Sequence, residues 1–331
     1  MVALYRLRTA ICAHIIDVQK KVENQAMEKK LTSICPSFPG QSKAVNICFA
    51  VNEKYALPLR NAIYSVVKNA DASRCYDILV MTKNLSEEAG QLISSALADC
   101  ENVSVRFIDM TSYEEKYLEG VLPIQEYITV ETDYRLFLAT ELFSKYDRMI
   151  YLDCDTLVLG DIAELFDTDL EGKTLGAVEE YSFRYKEYQQ NPVFVEGKPY
   201  SMRGYCTNLV GVPSMEDYFN AGLLLFDLSL FRKLTTVGDM MTALRQKHFL
   251  MNDQDVLNYI IKGEFKHLDV GWNYLITYEF LREGNNRVLK EKFSDVYRDE
   301  PKMIHYVGHR KPWRDEKIPF KALYDRVVGE L

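Results

Sequence analysis

The 331-residue chain lacks the glycine spacing of a dinucleotide site. No two of its 16 glycines lie two positions apart, so a Gly-x-Gly-x-x-Gly turn, which lets backbone approach a pyrophosphate, cannot occur. Glu171-Gly172-Lys173-Thr174 imitates the end of a P-loop, but the position five before Gly172 is Asp167, so the phosphate cradle has no first glycine. Gly-x-Ser-x-Gly and His-Glu-x-x-His are absent, which removes the common hydrolase elbow and zinc-protease helix. The seven cysteines include no Cys-x-x-Cys pair, and their odd number does not describe a disulfide framework; the expectation is a reducing, cytoplasmic setting. No apolar run reaches the roughly 18 residues of a membrane span. Arg6 and Arg8 break the opening stretch before a signal-type core develops. Basic charge is also short: 40 Lys and Arg stand against 48 Asp and Glu, a formal charge of -8, and a nucleic-acid partner is not expected.

What is present is a chain able to bury a core, with 47% hydrophobic residues. Residues 1–43 stand apart. Leu7, Ile11, Ile15, Val18 and Val22 recur at helical spacing, and Pro36, Pro39 and Gly40 then interrupt the pattern, so this stretch reads as an appended helix and linker. That helix could pack on the main domain, touch a membrane surface, or precede an initiator at Met27. Residues 44–331 read as one α/β domain. Apolar runs at Val45–Val51, Tyr76–Met81 and Val103–Ile108 alternate with helical patterns near Leu57–Lys68 and from Ser86, where Glu87 and Glu88 occupy the first turn. Such units predict a mostly parallel sheet flanked by helices, with ligands beyond the carboxyl ends of its strands. A further helix is expected over Asp133–Phe143. Residues 181–213, with Pro192, Gly197, Pro199, Gly204 and Pro213, read as a long excursion or lid.

Asp-x-Asp occurs three times among 22 aspartates, at Asp153/Asp155, Asp167/Asp169 and Asp253/Asp255. Chance alone supplies one or two, so context must choose. Only the first pair ends an uninterrupted apolar strand, Met149–Leu152, which would hold both acids on a rigid element where a divalent cation could bridge them to a diphosphate. Asp167 and Asp169 follow Leu165-Phe166 in a polar turn and suit capping. Met303-Ile304-His305 is a second short strand, ending at an imidazole and followed by Gly308, Arg310 and Lys311. Two carboxylates and a neutral imidazole make an N/O set acceptable to Mn²⁺ or Mg²⁺, although an incidental surface turn fits the same residues.

Six motifs in order resemble family 8 glycosyltransferases, the group containing glycogenin and bacterial lipopolysaccharide galactosyl- and glucosyltransferases. They are Phe49-Ala50-Val51-Asn52-Glu53-Lys54-Tyr55-Ala56, Thr132-Asp133-Tyr134-Arg135-Leu136, Tyr151-Leu152-Asp153-Cys154-Asp155, Tyr218-Phe219-Asn220-Ala221-Gly222-Leu223, Asn252-Asp253-Gln254-Asp255-Val256-Leu257, and the run from His305 to Trp313. The resemblance spans Ala44 to Trp313. It implies a GT-A type nucleotide-diphospho-sugar transferase fold, a UDP-sugar donor, and Mn²⁺ held by Asp153, Asp155 and His305. It places Ala50 and Asn52 at the uridine, Lys54 at a further nucleoside contact, Cys154 with its backbone at the ribose, and Gly308 and Lys311 at the diphosphate. Some bacterial relatives carry Asp and Asn where this chain has Asn52 and Lys54.

By the same resemblance Arg135, Asn220, Asp253 and Gln254 line the donor sugar, and Gln254 lies nearest the reacting face. From the residues alone, Arg135 could instead pair with Asp133 or Glu131, and Asp253 could cap the helix that follows. Asp255 could serve either the sugar or that helix. The implied reaction retains anomeric configuration, with Gln254 stabilising an oxocarbenium-like centre, because a carboxamide is a weak nucleophile. The working expectation is a hexosyltransferase that moves glucose or galactose from UDP to a glycan or glycolipid, with self-glycosylation open among 22 tyrosines. A nucleotide-sugar hydrolase and a non-catalytic UDP-sugar binder are the alternatives. Lys317, Lys321 and Arg326, interleaved with Ile318, Phe320 and Leu323, make at most a modest amphipathic helix and leave peripheral membrane contact open. Oligomeric state is not legible.

Overall fold

The computed structural model describes residues 33–41, 43–97, 100–119, 129–246, 249–277 and 291–331. The helix expected within residues 7–22 lies outside the described residues. Twelve strands are present among those described: β1 (Val45–Val51), β2 (Tyr76–Thr82), β3 (Val103–Asp109), β4 (Arg148–Leu152), β5 (Thr156–Val158), β6 (Leu175–Glu179), β7 (Val193–Val195), β8 (Lys198–Tyr200), β9 (Phe219–Asp227), β10 (Lys266–His267), β11 (Tyr274–Leu275) and β12 (Met303–His305). Seven build the central sheet, in the order β10-β6-β9-β4-β1-β2-β3. β1 pairs in parallel with β2 and β4, β2 with β3, and β10 with β6. Only β9 runs antiparallel, between β4 and β6.

Period-two alternation sets the two faces. Ile47, Phe49, Ile78 and Val80 point to one layer, with Leu59, Ala62, Ile63 and Val66 of the helix Ala56–Lys68. Cys48, Leu79 and Met81 point to the other, with Leu136, Phe137, Val256 and Leu257. Strands buried on both faces read as continuous apolar runs, which is why β1, β2 and β4 were visible in the sequence. The helix Glu87–Ser94 starts where expected, because the Ser86 hydroxyl accepts from Ala89 N at 3.1 Å.

Two expectations change. Where one helix is expected over Asp133–Phe143, two 3₁₀ turns form, Val130–Ala139 and Glu141–Phe143; the three-residue turn of the first stacks Thr132 and Arg135 on one side. The excursion expected over residues 181–213 carries secondary structure of its own. A helix (Ser182–Tyr188), the β7-β8 hairpin turning through Glu196 and Gly197 at positive φ, and a helical run over 202–210 fill them. Tyr181, Phe183, Tyr185, Tyr205 and Cys206 are buried there, so their aromatic bulk forms core while the Pro and Gly residues only punctuate it.

A smaller sheet, β11-β12-β5, decides where the site forms. Antiparallel pairing sets His305 opposite Thr156, next to Asp155, and Tyr306 N donates to Asp155 O at 3.0 Å. The C-terminal helix Lys321–Val328 packs Tyr324 and Val327 inward, and Asn61 Nδ2 donates to the Tyr324 hydroxyl at 2.7 Å. Its apolar side is thus taken up by the domain. At the far edge, residues 33–41 are tied down rather than hanging as a bare linker: Arg106 Nη1 donates to Cys35 O at 2.8 Å and Ser37 N to Asp77 Oδ2 at 2.9 Å. Among the described residues no helix is long and apolar enough to cross a membrane.

Candidate active site and metal centre

β4 ends at Leu152, so Asp153-Cys154-Asp155 emerges at the carboxyl edge of the sheet. Because β9 is antiparallel to β4, its first residues lie at that same edge; Asp153 N donates to Gly222 O at 2.9 Å. A cleft of about 470 Å³ opens here. Its lining includes Ala50, Asn52, Arg135, Asp153, Cys154, Asp155, Asn220, Asp253, Gln254, His305, Gly308 and Lys311. Twelve of the thirteen residues singled out in the sequence therefore converge, from segments up to 261 positions apart (311 minus 50). Lys54 is the thirteenth: it is exposed, one turn into the segment after β1, and does not line the cleft.

Each acid of the pair divides its oxygens. Asp153 Oδ1 accepts from Arg135 Nη2 at 2.8 Å, and Asp155 Oδ2 accepts from Lys311 Nζ at 2.5 Å. The other two oxygens turn to the imidazole, with His305 Nε2 3.2 Å from Asp155 Oδ1 and 3.7 Å from Asp153 Oδ2. One donor atom from each of the three residues falls within 4.8 Å of the others. An imidazole nitrogen and two carboxylates, with cations neutralising only the outer oxygens, fit a hard divalent ion such as Mn²⁺ or Mg²⁺. The imidazole fits because residue 222 is glycine: a Cβ there would lie 2.0 Å from His305 Cε1. Burial works to raise the Asp155 pKa, but the Lys311 ammonium beside it helps hold the carboxyl well below its ordinary range.

Arg135 is 2% exposed and fully framed. It pairs with Asp153, contacts Asp253 Oδ2 through Nε at 2.9 Å, donates to Ala221 O, and lies over the Tyr151 ring, 4.3 Å from its centroid. Pairing confined to Asp133 or Glu131, the alternative in the sequence, is not what forms. Burial disfavours its charge, yet Asp153 and Asp253 more than restore it. Asp253 is itself pushed up by burial, against the pull of Arg135. It sits in the first turn of the helix Asn252–Ile261 but does not cap it. Asp255 does that work: its Oδ2 accepts from Met251 N at 2.6 Å and from the Tyr205 hydroxyl, and its Oδ1 accepts from the Tyr218 hydroxyl at 2.7 Å. It is fully buried and does not line the cleft.

At the other end of the cleft, Asn52 Nδ2 donates to Glu131 at 3.2 Å, leaving Asn52 Oδ1 buried without a protein partner. Cys154 Sγ donates to Ala50 O at 3.1 Å, and burial raises the thiol far above its ordinary pKa, so this cysteine is inert as a nucleophile. Gln254 Oε1 accepts from Ala221 N at 2.9 Å, which fixes its carboxamide at the cleft wall. Gly308 has φ +80°, which its lack of a Cβ permits. The sequence reading missed Asn273, whose Oδ1 lies 3.0 Å from His305 Nδ1, and Glu180 and Thr277, which line the cleft. Only the buried run around Trp272 marks Asn273 in the sequence, and that run points to core rather than to a site.

This arrangement of fold and site has counterparts. The chain is 25% identical over 292 residues to "General stress protein A" of Bacillus subtilis, covering 86% of this chain and 93% of that one. It is 28% identical over 199 residues to a "Lipopolysaccharide 1,2-glucosyltransferase" of Escherichia coli, covering 60% of this chain and 53% of that one. Among solved structures, the galactosyltransferase LgtC with donor and acceptor sugar analogues superposes with a TM-score of 0.68 at 25% identity, covering 87% of this chain and 96% of that one. LgtC has the GT-A fold, and the mixed, mostly parallel sheet described above matches it. The model of "Glycosyl transferase family 8" matches residues 46–317, most of the length, and the chain belongs to that family.

Proposed function

We propose that this family 8 glycosyltransferase is a Mn²⁺-dependent, retaining hexosyltransferase that takes glucose or galactose from UDP and delivers it to a glycan or glycolipid. The observation that carries the reading is the division of oxygens at Asp153 and Asp155, which leaves one from each beside His305 Nε2. A divalent cation held there supplies positive charge to a leaving diphosphate. Lys311 keeps Asp155 in place, and the Gly308 backbone offers close approach to the same phosphates. The lone acceptor Asn52 Oδ1 suits the imide N–H of uracil, and the Cys154 backbone the ribose. Asp253, Asn220 and Gln254 border the space left for the sugar, with Gln254 held by Ala221 N so that its carboxamide faces the reacting carbon without attacking it. Arg135 acts by holding Asp153 and Asp253. Lys54 belongs at most to the rim. The E. coli glucosyltransferase and LgtC, by their names, support glucose and galactose as the donors to try first and a lipopolysaccharide-type saccharide as acceptor.

Purified protein incubated with a panel of UDP-sugars, with Mn²⁺ or with a chelator, tests this. Release of UDP from UDP-glucose or UDP-galactose only with Mn²⁺, faster when lipopolysaccharide-core oligosaccharides are added, is the expected result. Release that ignores the chelator, or no release from any UDP-sugar, contradicts it.

A further inference from the structure

His305 does not stand alone. Its Nδ1 faces Asn273 Oδ1 at 3.0 Å; Asn273 Nδ2 donates to Asn220 Oδ1 at 2.9 Å; Asn220 Nδ2 donates to Glu180 Oε2 at 2.6 Å. These four side chains come from β12, the residue before β11, β9 and the residue after β6. All are buried: Glu180 is 5% exposed, Asn220 3%, Asn273 0% and His305 3%.

The direction of this chain is set at one end and propagates. Asn220 Oδ1 also accepts from Gly222 N at 2.9 Å, and a backbone N–H can only donate. The atom facing it is therefore oxygen, and the atom facing the Glu180 carboxylate is the amide nitrogen. Glu180 is held in turn by the Ser182 hydroxyl at 2.5 Å. With Asn220 fixed at both ends, the group of Asn273 that meets its oxygen must be the NH₂. The Asn273 oxygen then faces His305, so Nδ1 carries a hydrogen and Nε2 is the nitrogen whose lone pair would meet a cation held between Asp153 and Asp155. A ring turned over, or carrying its hydrogen on Nε2, would leave Asn273 Oδ1 without a donor in a fully buried place.

The geometry points to Asn273 as a positioning residue that fixes the tautomer and ring plane of His305 for cation binding, with Glu180 as the anchor that, together with the Gly222 N–H, holds the polarity of the amide relay. This rests on the reading of Asp153, Asp155 and His305 as cation ligands. It goes beyond that reading by assigning work to residues that touch neither the cation nor UDP. Hydrogen-bond partners behind a ligating histidine typically govern metal affinity by about 10- to 100-fold.

The test is Mn²⁺ binding to the protein alone, by calorimetry and without donor, for the wild type, Asn273→Leu, Glu180→Met and Glu180→Gln. Asn273→Leu is expected to weaken Mn²⁺ by roughly 10- to 100-fold. Glu180→Met, which removes the anchor, should weaken it less. Glu180→Gln, whose carbonyl can still accept from Asn220 while the Ser182 hydroxyl turns to accept from its NH₂, should restore wild-type affinity. In wild-type protein loaded with diamagnetic Mg²⁺, ¹⁵N shifts of His305 should show a protonated Nδ1. Equal Mn²⁺ affinity in every variant that folds, or a bare Nδ1 in the Mg²⁺-loaded wild type, overturns the inference; the wild-type spectrum decides even if Asn273→Leu does not fold. A wild type that binds no Mn²⁺ removes the cation reading, and this inference with it.

Discussion

At the residue scale, the site is shaped as much by a missing side chain as by those present. Gly222 has an ordinary backbone conformation, so its value lies in the space it leaves for the His305 ring and Asp153 Oδ2, 2.0 and 2.9 Å from where a Cβ would sit. Gly222→Ala must therefore displace the imidazole or the strand. We expect a loss of about 1–3 kcal/mol in unfolding free energy from overpacking, together with strongly weakened Mn²⁺ binding. Calorimetric Mn²⁺ titration and urea unfolding check both; unchanged affinity would mean that the ring does not sit where the strand places it. The acids and the imidazole could be picked out of the sequence because each ends an apolar strand. Asn273 could not, since an asparagine after Trp272 carries no pattern of its own and its meaning comes from Asn220, 53 positions away.

At the element scale, β1, β2 and β4 are legible as largely apolar runs bounded by polar turns, and β3 by the alternation of Val103, Val105 and Phe107 with Ser104 and Arg106. The secondary structure within residues 181–213 is not legible because Pro192, Gly197 and Pro199 dominate a linear reading, whereas Tyr205 finds its partner only in the fold. That partner is Asp255, buried in the helix Asn252–Ile261, where burial raises its pKa against the hydrogen bonds from Tyr205 and Tyr218. Tyr205 thus fastens the excursion, and Tyr218 the start of β9, to the helix that carries Asp253 and Gln254. Tyr205→Phe removes one donor to Asp255 and the acceptor of Leu250 N, a hydrogen bond of 2.9 Å. A cost of about 1–3 kcal/mol is expected for the buried Asp255 carboxyl left with one donor fewer, read as a lower urea midpoint at an unchanged m-value. A midpoint within error of the wild type would show that the excursion is fastened elsewhere. The 3₁₀ winding at Val130–Ala139 was likewise hidden, since apolar spacing over ten residues does not separate three residues per turn from 3.6.

At the scale of the whole molecule, the central sheet and the separate β11-β12-β5 sheet meet at Asp153-Cys154-Asp155, which links β4 of one to β5 of the other, and an antiparallel pairing within each sheet completes the site. β9 beside β4 brings Asn220 and Gly222 to the carboxyl edge, and β12 beside β5 brings His305 to Asp155. No single stretch of sequence encodes that meeting; only the ordered resemblance of six motifs anticipated it. The most direct test of the account is UDP binding measured by calorimetry in Mn²⁺ and in chelator, for the wild type and His305→Leu. The account predicts that Mn²⁺ tightens UDP binding by at least roughly tenfold, about 1.4 kcal/mol, and that His305→Leu abolishes this gain while the protein remains folded. Equal UDP affinity with and without Mn²⁺ in the wild type, or a gain that survives in His305→Leu, would contradict it.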